Sequence, residues 1–312
     1  MRDELRMSQI SVIDRQGDLY MVLDSGRLLV SRKALCLSSS VFLAMLGEES
    51  QFSESKAKII SGDGIQEITF RDDDFSAMQL VTNVIHLQND KVPLNVSFQQ
   101  LHQIAILCDK YDLKRCLGYW PEKWAAPWLD SYSKAGYEAL LFISTTFRFP
   151  STFKNTTKHL IRNAIVSKSV LSINGIEFGE GVSSKIMNQI IATRDKAIFA
   201  VRDLCWQEQC KLRSSNKKRV CSRWQAQACD AVNLGCLSQQ FPELRNPRDD
   251  TKPCSETLMS VVEATEKICD FSHAIGHRDG PYGKDHGSCS VGTRLALGAR
   301  KILSGVNGLE LG

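Results

Sequence analysis

The chain has 312 residues, 43% of them hydrophobic and 24% charged, with a formal net charge of +4. Domains cluster near ~100–150 residues, so this length predicts two, and a charge this small does not by itself point to nucleic acid or a membrane surface. Eleven cysteines in a chain this long do not read as a small secreted disulfide framework. No apolar run approaches the ~18–20 residues a spanning helix needs, and the opening Met1-Arg2-Asp3-Glu4 lacks the apolar core of a signal peptide. The chain is therefore expected in the cytoplasm or the nucleus with its thiols reduced.

In chain order, Ile10-Ser11-Val12-Ile13 reads as an edge strand or a disordered lead-in. Leu19–Leu23 and Leu28–Ser31 are apolar runs separated by Asp24-Ser25-Gly26-Arg27, which is the pattern of a β-hairpin. The runs are continuous rather than alternating, so both faces should be covered. Two short helices follow. Ser31 caps the first, which carries Ala34 and Leu35. Ser40 caps the second, whose Phe42, Met45 and Leu46 share a face, and Gly47 supplies a left-handed stop. Residues 47–63 read as a surface loop with Phe52 as an anchor.

Ile65–Phe70 predicts a third strand with Ile68 and Phe70 on one face. The carboxylates of Asp72, Asp73 and Asp74 invite a metal, but no second cluster is spaced to complete an oxygen cage. The better reading has Asp72 or Asp73 capping a helix that runs from Phe75 to about Leu87, with His86 as packing or a C-terminal charge partner. Asn89-Asp90-Lys91 and Pro93 break the chain, and Ser97 caps the next helix. Phe98, Leu101, Ala105, Cys108 and Tyr111 form its buried stripe. Asp112 is placed as the following cap. Trp120, Trp124 and Trp128 then recur every fourth residue, a core or interface stripe that Pro121 and Pro127 interrupt.

A set of short motifs stands in register over roughly residues 14–130. They are Gly17-Asp18-Leu19, Val30-Ser31-Arg32-Lys33-Ala34-Leu35, Ser39-Ser40-Val41-Phe42, Ala44-Met45-Leu46, Asp72-Asp73-Asp74-Phe75, His86 through Pro93, Ala105 through Asp112, and Trp120 with Trp124. This series resembles the BTB/POZ domains abundant in filamentous fungi. The resemblance implies an α+β fold for residues 1–130, a small β-sheet flanked by α-helical hairpins. It also implies a protein-interaction role without catalysis. Only about sixteen residues precede the first hairpin strand, which does not favour the strand-swapped dimer of many animal members.

Residues 131–312 are expected to form an all-α C-terminal region. Tyr137, Leu140, Leu141 and Ile143 mark one helix, and Phe153, Leu160, Ile161 and Ile165 another. Asn174-Gly175 and Gly179-Glu180-Gly181 are turn signals. Ser183 or Ser184 caps a long helix reaching about Leu212, with Ile186, Ile190, Ala197, Val201, Leu204 and Cys205 along one stripe. Lys211, Arg213, Lys217, Lys218, Arg219 and Arg223 form a basic run that reads as a solvated linker, with a nuclear-import or nucleic-acid patch as the alternative. Asn246–Pro253 is a polar loop, Ser255 caps a helix through about Ile268, and residues 291–304 form a last helix with Leu295, Leu297 and Ile302.

Ligand chemistry is concentrated near the end. Cys269 and His273 lie at i and i+4, and His286 and Cys289 at i and i+3. Thiolate and imidazole suit a tetrahedral zinc. The spacing is not a CxxC pair, and the competing reading is reduced cysteines buried as small hydrophobes, as Cys229 and Cys236 at i and i+7 suggest. No cofactor is expected. No phosphate-binding Gly-rich loop, G-x-S-x-G or H-E-x-x-H occurs, so no enzyme is expected. The sequence therefore points to a protein–protein interaction adaptor. The resemblance implies a narrower version in which the partner is a cullin and the protein a ubiquitin-ligase adaptor; a second copy is another candidate partner, and with no spanning run no membrane partner is expected. The alternative is a nuclear regulator that uses residues 211–223 on nucleic acid.

Overall fold

A computed structural model describes residues 9–47, 59–178, 181–214, 221, 226–242, 244, 255–268 and 289–312. The chain divides into two compact units, Met1–Thr152 and Phe153–Gly312, and mixes helices with two small sheets.

In the first unit, Leu19–Leu23 (β2) and Gly26–Val30 (β3) form the expected antiparallel hairpin, with Leu23 opposite Gly26 across a two-residue turn. Gln9–Val12 (β1) runs parallel to β3, while Gln66–Thr69 (β5) runs parallel to β2 and antiparallel to Ile59–Ile60 (β4). The sheet order is β1-β3-β2-β5-β4, so β1 takes an edge, the first of the two readings of Ile10–Ile13. β4 places a strand inside the stretch expected to be all loop. The apolar runs of β2 and β3 are buried almost throughout, which explains why they do not alternate.

Ser31 caps Arg32–Ser38 (α1) by accepting from the Ala34 N–H. Ser39, not Ser40, caps Ser40–Leu46 (α2), since it is the extended residue whose hydroxyl reaches the Phe42 N–H. Gly47 ends α2 at φ −62°, with its N–H on the Leu43 carbonyl, so the stop is extended and not left-handed. At the next boundary the cap is Asp74, which accepts from Ala77 at the start of Phe75–Ile85 (α3). Asp73 is buried and accepts instead from the Tyr111 hydroxyl at 2.5 Å and from Lys110 at 2.8 Å. Burial, then the bond to Asp73, push the Tyr111 phenol well up.

Ser97 caps Phe98–Lys110 (α4) as expected, and Leu101, Ala105, Cys108 and Tyr111 are buried. Asp112 is not a cap. It stands at φ 51° and accepts from the Ser40 hydroxyl, while Leu113 begins Lys114–Leu117 (α5) with no side-chain cap. The tryptophans do not lie on one continuous helix. Trp120–Ala125 (α6) carries two of them, with Pro121 tolerated in its first turn, and it ends before Pro127. Trp124 is fully buried, stacks on Trp120 at 5.4 Å and donates its indole N–H to the Pro93 carbonyl at 2.9 Å. Trp128 meets Phe98 and Tyr137. Leu140–Thr146 (α7) contains Leu140, Leu141 and Ile143, all buried, but not Tyr137.

The second unit corrects the expected all-α region. Pro150–Asn163 (α8) ends before Ile165, and three strands follow: Ile165–Ser167 (β6), Val170–Ile173 (β7) and Ile176–Phe178 (β8), in an antiparallel meander. Each connection has two residues at positive φ, Lys168 (49°) with Ser169 (66°), then Asn174 (52°) with Gly175 (79°). Two left-handed residues are what a type I′ turn requires, and its twist matches that of paired strands. Asn174-Gly175 carried that signal. Lys168-Ser169 did not, because neither residue favours positive φ.

Ser183 caps Ser184–Arg213 (α9), which holds Ile190, Ala197, Val201 and Cys205 in the interior. Ala226–Gln240 (α10), Leu258–Glu266 (α11) and Val291–Gly305 (α12) complete the described helices. Thr257, not Ser255, caps α11, and Leu258, Val261, Val262 and Thr265 are buried. In α12, Leu295 is buried but Leu297 is 63% exposed. Cys205, Cys236, Leu237, Ile268, Val291 and Leu295 form one core cluster. A Cβ on Gly292 would stand 2.8 Å from the Ile268 carbonyl oxygen, so a residue without a side chain lets α12 approach here. Fully buried Arg194 donates Nε to the Ala164 carbonyl at 3.0 Å, and its terminal nitrogens to Asp195 and to the Glu256 carbonyl.

Candidate functional site

Two features of the described residues carry chemistry or surface that the two cores do not use. The first is on α1 and α2. Their inner sides bury Leu35, Phe42 and Leu46. Phe42 stacks on Tyr111 at 4.7 Å and meets Phe70 edge-on at 6.2 Å, so the helix pair is clamped from within by an aromatic cluster. Their outer sides present Leu37 at 77% and Leu43 at 56% exposure, with Val41 between them in sequence. His86 holds the start of this segment. Its Nε2 accepts from the Ser31 N–H at 2.9 Å, and its Nδ1 faces the Thr82 carbonyl at 2.8 Å, which fixes the Nδ1–H tautomer. His86 is thus a structural bridge between α3 and the α1 cap. His102 packs edge-on to Phe142, and burial holds its imidazole below the usual value.

The second feature is a cluster of three thiols in the second unit. Cys221 precedes α10, Cys229 sits in its first turns, and Cys289 stands one residue before the Ser290 cap of α12. All three are buried, and their sulfurs lie within 4.8 Å of one another. The Cys289 and Cys221 sulfurs are 3.5 Å apart, far beyond the ~2.05 Å of a disulfide. Burial, then the hydrogen bond with Cys221, raise the Cys229 thiol above its ordinary value.

A polar shell fixes the three positions. The Asn233 amide donates to the Cys229 carbonyl at 3.0 Å, to the Cys229 sulfur at 3.6 Å and to the Cys289 carbonyl at 3.3 Å, while its oxygen accepts from Val291 N–H at 3.0 Å. Asp230 accepts from the Cys221 N–H at 3.0 Å. Arg294 donates to the Cys289 carbonyl at 2.9 Å and to Glu208 at 3.0 Å, and Lys211 reaches the same carboxylate at 2.7 Å.

Burial opposes ionisation of Glu208, but the bonds from Lys211 and Arg294 outweigh it and hold the carboxyl below its usual range. A lowered folded-state value stabilises the fold fully above the unfolded value of about 4.3. That stabilisation is lost as pH falls through the folded value. Glu208→Gln is therefore expected to cost about 2 kcal/mol at pH 7. Denaturant titrations repeated at falling pH should show the gap from the unsubstituted chain closing below that range.

Of the residues singled out as ligands, Cys269, His273 and His286 lie outside the described residues, as do Lys217, Lys218, Arg219 and Arg223 of the basic run. Cys289 is described, and it meets two cysteines that sequence reasoning did not group with it. Cys221 and Cys229 are separated by seven residues, longer than the gap of a short ligand loop. Cys236, two turns further along α10, joins the apolar core and not the thiol cluster. Cys205, also buried in that core, has its thiol pushed up to about 12 by burial and stays a small hydrophobe.

Among the described residues no helix is long and apolar enough to cross a membrane. No protein-family model matches the chain, and comparison with curated proteins finds no match.

Proposed function

We propose that the chain is a non-catalytic protein–protein interaction adaptor whose first unit is a BTB/POZ-type docking module. One observation carries this reading. The hairpin β2–β3 leads directly into α1 and α2, which are clamped from inside by Phe42 yet present Leu37, Val41 and Leu43 outward. Large aliphatic side chains held exposed on a rigid support suit the apolar core of a protein interface. The buried Trp124 and the aromatic group of Phe42, Phe70 and Tyr111 serve the interior of the unit and not an open cavity. The motif series in residues 14–130 supports the narrower version, in which the partner is a cullin and the protein is a ubiquitin-ligase adaptor.

The test is retention of a purified cullin by the immobilised full chain at micromolar concentration. Leu37→Asp with Leu43→Asp is expected to lower retention by roughly tenfold or more without changing the circular dichroism. Absence of retention by the unsubstituted chain removes the cullin version. Equal retention by the double variant removes α1 and α2 as the docking surface.

A further inference from the structure

We infer that Cys221, Cys229 and Cys289 are the thiolate ligands of a structural zinc ion that joins the start of α10 to the start of α12 in the second unit. Zinc–sulfur bonds of about 2.3 Å in a tetrahedron place neighbouring sulfurs about 3.8 Å apart. The cluster has this scale, with one pair at 3.5 Å and all three sulfurs within 4.8 Å. The three ligands come from separate places in the chain, and each is held independently of the sulfur contacts: Cys221 by Asp230, Cys229 by α10 itself, and Cys289 by Asn233 and Arg294.

The Asn233 amide on the Cys229 sulfur is the kind of outer-shell donor that orients a ligating thiolate. The Asn233 amide also serves the Cys229 and Cys289 carbonyls, but an apolar packing role for the three cysteines would leave the mutual approach of the sulfurs without a purpose. A disulfide would join two of the sulfurs and exclude the third. A soft divalent ion uses all three, and zinc favours such ligands without redox chemistry. Each ligating thiol releases its proton to solvent, so three thiolates and Zn²⁺ give a centre with one net negative charge. The fourth ligand completes the tetrahedron from outside this triad.

The test uses the full chain, purified under reducing conditions and loaded with zinc chloride, or with cobalt chloride as the spectroscopic substitute. One ion per chain is expected, with sulfur-to-cobalt charge-transfer bands and the visible bands of tetrahedral cobalt. X-ray absorption should show at least three sulfurs at about 2.3 Å. Cys221→Ser, Cys229→Ser and Cys289→Ser should each lose the ion, and Cys236→Ser on the same helix should keep it.

A second measurement does not depend on the variants folding. Alkylation of the unsubstituted chain, mapped by mass spectrometry, should show all three thiols protected by added zinc and exposed again by a chelator. Failure of micromolar zinc to bind, protection of a set that omits any of the three, or a Cys221–Cys289 disulfide in the freshly reduced chain would overturn the assignment.

Discussion

Replacing Phe42 with alanine is expected to destabilise the first unit by about 4 kcal/mol. The side chain is fully buried, stacked on Tyr111 and edge-on to Phe70. Truncation removes its transfer free energy and leaves a cavity that the neighbours cannot fill, because each is fixed elsewhere. Tyr111 is tied through its hydroxyl to Asp73, and its carbonyl accepts from Ser39, whose own oxygen caps α2. The loss should therefore propagate along a chain of contacts that already joins α2, α4 and the segment before α3. Phe42→Leu keeps most of the volume and should cost about 1–1.5 kcal/mol. Hydrogen exchange read residue by residue separates the two units. In Phe42→Ala the amides of β2, β3 and α4 should lose protection while those of α9 and α11 keep theirs. Unchanged protection in β2 and β3 would remove Phe42 from the centre of this core.

Arg194→Ala should have a comparable effect in the second unit, about 3–5 kcal/mol. A fully buried guanidinium is tolerated only when its donors are matched. Here they serve the carbonyls of Ala164 and Glu256 and the carboxylate of Asp195. One side chain on α9 thus ties the exit of α8 to the approach to α11. Alanine leaves a large void and strands those carbonyls without these donors. Arg194→Met restores the volume but not the hydrogen bonds, so its cost isolates the polar part, about 1–3 kcal/mol. Thermal unfolding of the two variants, with the α11 and α9 amides as reporters, gives the order alanine, methionine, unsubstituted chain. Equal midpoints for methionine and the unsubstituted chain would show that Arg194 acts through bulk alone.

Much of the first unit was legible in the sequence because its signals are local. Continuous apolar runs on either side of Asp24–Arg27 gave the hairpin, although Gly26 and Arg27 belong to its second strand, and Ser31 and Ser97 announced the helices they cap, while Ser183 was one of two adjacent candidates. Among adjacent candidates the expectation fell on the wrong neighbour, on Ser40 where Ser39 caps and on Asp72 or Asp73 where Asp74 caps, because composition does not separate them. Tertiary partners chose, since the Ser39 hydroxyl also reaches Tyr111 and Asp73 is claimed by Tyr111 and Lys110. The three-stranded sheet escaped because its strands are short and the turn at Lys168-Ser169 uses residues with no bias toward positive φ.

The thiol cluster was least legible of all. Cys289 stood out in the sequence, but its partners are set by how α10 and α12 meet, and no spacing rule encodes a contact between residues so far apart. The same packing sends Cys236 into the apolar core, so identical residue types on one helix have different fates.

The sheet order of the first unit also bears on the sequence of events during folding. Its hairpin closes across a two-residue turn, a microsecond event. β1 reaches β3 from just upstream of the hairpin, but β5 must be brought to β2 across the whole stretch from Asp24 to Ile65, which is entropically slow. The β2 edge of the ribbon therefore waits open until β5 arrives. During synthesis, that waiting interval is when strands of two neighbouring chains are most able to pair with each other.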